Sequence, residues 1–94
     1  MSQTFTVTGY CPCMKCCGKT DGITASGVKA TPNHTIAAPS KYPFGTRIVL
    51  DGHGTFYVED RGGAITNNKL DRFFSTHQEA LVWGVKTCTG TVYY

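Results

Sequence analysis

Threonines and apolar residues alternate from Thr4 to Tyr10, with Thr4, Thr6 and Thr8 on one side of an extended chain and Phe5, Val7 and Gly9 on the other. This period of two predicts a first strand. Strand-like composition returns at Thr35 to Ala38, Thr46 to Leu50, Thr55 to Glu59, Lys69 to Phe74 and Val85 to Tyr93. The separators are Pro39, Pro43-Phe44-Gly45, Asp51-Gly52, Arg61-Gly62-Gly63 and Gly84, residues that favour turns. One helical signal stands out: Thr76-His77-Gln78-Glu79 has the capping-box spacing, leads into Ala80-Leu81-Val82-Trp83 and is stopped by Gly84. Cys11 to Pro32 carries no sustained period and reads as a loop, cysteine-rich over about residues 11–22. Six short strands and one short helix in 94 residues predict an all-β fold, a small closed barrel, because closure removes the edges that short strands would otherwise expose.

Composition narrows the class. A chain of 94 residues with 40% hydrophobic and 16% charged residues is sized for one compact domain and lies far from the disordered corner. No apolar run is long enough to span a bilayer, and Met1 to Thr8 has neither the basic start nor the apolar stretch of an export signal, so a soluble chain without membrane insertion is expected. The net charge of +3 comes from scattered lysines and arginines. Such a mild excess suits an anionic polymer surface and does not argue for nucleic acid. Nothing in the sequence demands a dimer, and a monomer is expected.

Four of the five cysteines, Cys11, Cys13, Cys16 and Cys17, crowd into seven residues, and Cys88 lies far downstream. A disulfide staple, a thiolate metal site using the Cys13-x-x-Cys16 knuckle, and plain thiols are all compatible with this spacing. The usual zinc pattern requires a second ligand pair, for which only Cys88, His34, His53 and His77 remain, at no standard spacing. His34 and His53 fall in turn-like segments and read as solvated, and His77 reads as an exposed or capping residue in the first helical turn.

The chemistry-bearing stretch is Glu59-Asp60-Arg61-Gly62-Gly63-Ala64-Ile65, followed by Lys69-Leu70-Asp71-Arg72-Phe73-Phe74 and Thr76-His77-Gln78-Glu79-Ala80-Leu81-Val82-Trp83-Gly84. Upstream stand Tyr10-Cys11-Pro12-Cys13, Thr24-Ala25-Ser26-Gly27, Thr35-Ile36-Ala37-Ala38-Pro39 and Pro43-Phe44-Gly45-Thr46. In this order, over nearly the whole chain, they resemble the three-aspartate (3D) domain. That family includes the catalytic core of membrane-bound lytic transglycosylase A and stationary-phase and spore-associated wall-cleaving enzymes. The resemblance implies a double-psi β-barrel acting on peptidoglycan glycan strands at the bacterial cell wall. By the same resemblance, Asp71 corresponds to the carboxylate assigned catalysis and Asp60 to its neighbour in the groove. One position departs: Ala38 stands where the family usually carries its third aspartate.

The implied reaction is lytic transglycosylation at the MurNAc-GlcNAc β-1,4 bond, with a 1,6-anhydro product and no metal or organic cofactor. It needs one carboxyl group that is still protonated near neutral pH, which burial or a like charge provides. Asp71 lies between Leu70 and Phe73-Phe74, with Phe73 on its own strand face, and Asp60 can supply the like charge if their strands are neighbours. Gly62, Gly63 and Ala64 offer close backbone approach, positive φ or amides to a sugar, while Thr24 and Ser26 offer hydroxyls. Tyr10, Tyr42 and Trp83 offer aromatic faces. Each has a plainer alternative: aspartates beside Arg61 and Arg72 as ion pairs or turn formers, Thr24 and Ser26 as turn residues, Trp83 as core and Tyr93-Tyr94 as strand packing and chain end. At the level of function the alternatives are an expansin-like wall-binding barrel, a zinc- or redox-responsive module and a hydrolytic glycosidase. The cell-wall substrate without an export signal fits a phage lysin or a piece of a longer secreted protein.

Overall fold

The computed structural model describes residues 2–11, 23–62, 65 and 67–94. The strands are β1 (Ser2–Tyr10), β2 (Thr35–Ala37), β3 (Arg47–Leu50), β4 (Gly54–Asp60), β5 (Lys69–Phe73) and β6 (Lys86–Tyr93), with one helix, α1 (His77–Trp83), among the described residues. They close in the order β1-β5-β2-β4-β3-β6. The parallel pairs are β1 with β5 and β2 with β4, and the remaining pairs are antiparallel. Parallel neighbours require crossing connections, which separates this double-psi barrel from an up-and-down meander.

Alternation sorts the side chains as the sequence predicted. Phe5, Val7, Ile36, Ile48, Leu50, Phe56, Val58, Leu70, Cys88 and Val92 fill the interior, joined by Ala38, Tyr42 and Trp83. Gly90 has a packing reason: a Cβ there would meet Leu50 Cδ2 at 3.0 Å and Phe5 Cε2 at 3.1 Å, so the ring of Phe5 occupies the space a side chain would take.

The helix follows its signals closely. Thr76 Oγ1 accepts from the Glu79 N–H at 3.2 Å, and the Glu79 carboxylate takes the hydroxyls of Ser75 and Thr76, which hold its pKa below the usual range. At the other end Gly84, at φ 66°, returns its N–H to Ala80 O. The helix buries Ala80 and Trp83, and the Trp83 indole N–H donates to Val7 O at 3.0 Å, fastening α1 to β1. No described helix is long and apolar enough to cross a membrane.

Candidate active site

A second, smaller apolar cluster lies on the outer face of the barrel. It consists of Tyr10, Ala37 and Phe73, with Ala30 and Ile65 packed against them. Asp71 shares this face with Phe73, two residues along β5. Its register partners are Thr8 on β1 and Ala37 on β2. Burial here pushes the Asp71 carboxyl up to about 6, the Thr8 hydroxyl pulls it back down, and the negative charge of Asp60 adds a smaller upward push. The Thr8 Oγ1 lies 2.9 Å from Asp71 Oδ1 and 3.3 Å from Leu70 O.

The strands of Asp60 and Asp71 are not neighbours. β2 runs between them, and Ala37 is the register partner of both residues. Their backbones are therefore about two strand spacings, ~10 Å, apart. A β-bulge places Asp60 on this face. Val58 pairs with Ile36 and Asp60 with Ala37, leaving Glu59 as the extra residue. Regular alternation after Phe56 and Val58 would turn position 60 into the barrel; the bulge turns it outward.

Asp60 is heavily bonded. Its Oδ1 accepts from the N–H groups of Ala25 and Arg61, both at 2.9 Å, and its Oδ2 accepts from the Tyr10 hydroxyl at 2.9 Å. Tyr10 is buried with its ring edge-on to Phe73, 5.4 Å between centroids, so it holds Asp60 rather than presenting an open face. Tyr42 and Trp83 are buried in the barrel interior, which removes both as sugar-stacking faces.

Thr24 and Ser26 belong to a tight turn closed by an Ile23–Lys29 bridge. The Thr24 hydroxyl donates inward to Val28 O at 2.7 Å and lies 3.0 Å from Ser26 Oγ, while the Ser26 N–H donates to Glu59 O at 3.1 Å. Both hydroxyl residues thus build this turn, and the Ala25 N–H ties it to Asp60. Gly62 is exposed, has no positive φ, and its carbonyl accepts from the Ile65 N–H at 3.0 Å. Gly63 and Ala64 lie outside the described residues, as do Cys13, Cys16 and Cys17.

The arginines do not neutralise the pair. Arg61 sends its guanidinium to the carbonyls of Ala38, Asp60 and Tyr42. Arg72 faces the other side of β5, over Phe56, Phe74 and Trp83 at 4.8–5.0 Å, and reaches Asn33 Oδ1 at 2.7 Å. Ala38 is fully buried in the interior cluster. Residue 38 therefore faces the core, away from the outer face that carries Asp60 and Asp71.

Several contacts were not legible in the sequence. His34, expected to be solvated, stacks on Tyr57 and sits 3.3 Å from Glu59. His53, also read as solvated, is exposed but lies edge-on to Trp83 at 5.0 Å. Nδ1 of the half-buried His77 is 3.5 Å from the buried Cys11 sulfur. No disulfide joins the described residues, and Cys88 is a buried free thiol whose pKa burial raises. Nor do described His, Cys, Asp or Glu residues gather in threes that could hold a metal.

Linkage gives the site a stability signature. A carboxyl held up at about 6 contributes stability in full below its ordinary value of 3.8 and loses that contribution as pH rises through 6. Asp71→Asn is therefore expected to be more stable than the parent at pH 8 by about 1–2 kcal/mol, a figure reduced for the partial solvent contact of the carboxyl. At pH 3.5 the two should be equal. Urea unfolding at both pH values checks this, and equal stability at pH 8 would show that Asp71 carries no burial penalty.

The comparisons agree with this architecture. The crystal structure of MltA from E. coli superposes with a TM-score of 0.60 at 23% identity over 73% of this chain and 26% of that one, which establishes the fold. In Bacillus subtilis strain 168, a protein described as cell wall-binding protein YocH is 38% identical over 74 residues, 74% of this chain. The putative cell wall shaping protein YabE from the same organism is 39% identical over 75 residues, 76% of this chain. The chain spans only 26% and 18% of the lengths of those two relatives. The 3D domain family matches residues 34–94, which take in β2 through β6, α1 and both acids of the outer face, and the chain belongs to that family.

Proposed function

We propose that this barrel cleaves the glycan strands of peptidoglycan by lytic transglycosylation, with Asp71 as acid and then as base. The observation that carries the reading is the partly buried Asp71 carboxyl, held up to about 6 on an outer face with an apolar floor. At mildly acidic pH it is protonated and can give its proton to the glycosidic oxygen as the bond to the anomeric carbon breaks. The 6-hydroxyl of the same MurNAc then bonds to that carbon, and its proton passes to the Asp71 carboxylate. The acid is regenerated, a 1,6-anhydro end is formed and no water is consumed.

The state of Asp60 favours this route over hydrolysis. A hydrolase following the common scheme needs a second carboxylate free to attack or to activate water. Asp60 has both oxygens engaged by Ala25, Arg61 and Tyr10, so it suits a structural and electrostatic role. The buried position of Ala38 fits retained chemistry despite the missing third acid.

A second reading, a wall-binding barrel without catalysis, is favoured by the names of the Bacillus relatives. Sedimentation with purified wall and release of soluble muropeptides separate the two. Under the catalytic reading the parent binds and releases sugar, whereas Asp71→Asn binds and releases none. If neither protein releases sugar while both sediment with the wall, the binding reading replaces it.

A further inference from the structure

We propose that Thr8 is a positioning residue for Asp71, committing Oδ1 to a hydrogen bond inside the fold and leaving Oδ2 as the oxygen that carries and delivers the proton. The inference rests on the transglycosylase reading of the site and names a residue that lies before the 34–94 match to the family.

The geometry is specific. Thr8 and Asp71 are direct register partners on the parallel pair β1 and β5, so their side chains leave the sheet on the same face. The Thr8 hydroxyl has one proton and two acceptors in reach, Asp71 Oδ1 at 2.9 Å and Leu70 O at 3.3 Å. Donation to Oδ1 favours the carboxylate and draws the acid proton to the other oxygen. When Asp71 is protonated the hydroxyl can turn toward Leu70 O without being stranded. The shared proton therefore follows the charge of Asp71, strong when the carboxylate must be stabilised and weak when the acid must donate.

A group that acts first as acid and then as base needs this kind of balance. Burial alone would push the pKa further up and leave a poor proton donor; full solvation would leave the group ionised before the first step. Thr8 opposes the burial, as the direction of its effect on Asp71 shows. Its β-branched side chain is stiff in a strand, so the hydroxyl is held rather than averaged over rotamers.

The test replaces the hydroxyl with a methyl group of the same shape. In Thr8→Val the Asp71 carboxyl, followed by carbon-detected NMR titration of the whole protein, is expected to titrate about one pH unit higher than in the parent. The alkaline limb of the muropeptide-release profile should move up with it, with kcat falling and KM unchanged. Thr8→Ser should restore both, which a merely structural threonine would not require. An Asp71 titration in Thr8→Val that superposes on the parent overturns the proposal. If the parent binds the wall without cleaving it, the catalytic reading fails, while the NMR titration still decides whether Thr8 governs Asp71.

Discussion

Asp71→Asn is expected to slow muropeptide release by about 10²–10⁴-fold, the range that a positioned acid or base contributes, while sedimentation with the wall stays at the parent level. Asparagine keeps the size of the side chain and its acceptor toward Thr8 but has no proton to give to the glycosidic oxygen and cannot collect one from the sugar hydroxyl. The same variant should gain stability at alkaline pH, so lost activity cannot be blamed on unfolding. In the parent, kcat/KM should fall as pH rises above about 6, because the first step needs the protonated carboxyl and that is where Asp71 titrates. An activity that stays level from pH 5 to 8 would contradict an Asp71 acid.

The second large effect belongs to Asp60, where alanine and asparagine should part company. Asp60→Ala strips the partner from the Ala25 and Arg61 N–H groups and from the Tyr10 hydroxyl at once. With about 1 kcal/mol for each, the expected loss is about 2–3 kcal/mol of stability. Activity should drop by about 10²-fold, because the turn of Thr24 to Gly27 and the phenol of Tyr10 lose the anchor that holds them beside Asp71 on the outer face. Asp60→Asn retains the Oδ1 acceptor and offers Tyr10 an amide instead of a carboxylate, so it should cost less than about 1 kcal/mol. It removes the like charge that helps raise Asp71, so the alkaline limb should shift slightly to lower pH. Unfolding curves and pH-rate profiles of the two variants measure these terms separately. If asparagine proved as damaging to the fold as alanine, the hydrogen-bond account of Asp60 would be wrong.

Much of this molecule could be read from local pattern. The strand of Thr4 to Tyr10, the Thr76 cap, the Gly84 stop and the placement of Asp71 with Phe73 all depend on neighbours in sequence, and the structure bears them out. What could not be read depends on pairings between distant strands. Thr8 meets Asp71 across 63 positions, through a parallel pairing that no local period announces. Asp60 reaches the outer face only because Glu59 is an extra residue against β2, and a one-residue bulge leaves no mark in an alternation of Thr55 to Glu59. The burial of the aromatic candidates was hidden for a related reason. Composition marks Tyr10 and Tyr42 as rings suited to a sugar, whereas burial assigns one to holding Asp60 and the other to the barrel core. Arg72, beside the acid in sequence, is turned by strand alternation to the opposite side.

The most direct test of the central claim is the mass of the soluble products released from peptidoglycan by the parent protein, with Asp71→Asn in parallel. Transglycosylation predicts muropeptides one water lighter than their hydrolytic counterparts, formed by the parent and absent with the variant. Products of full hydrolytic mass, or light products that persist in Asp71→Asn, would contradict the account.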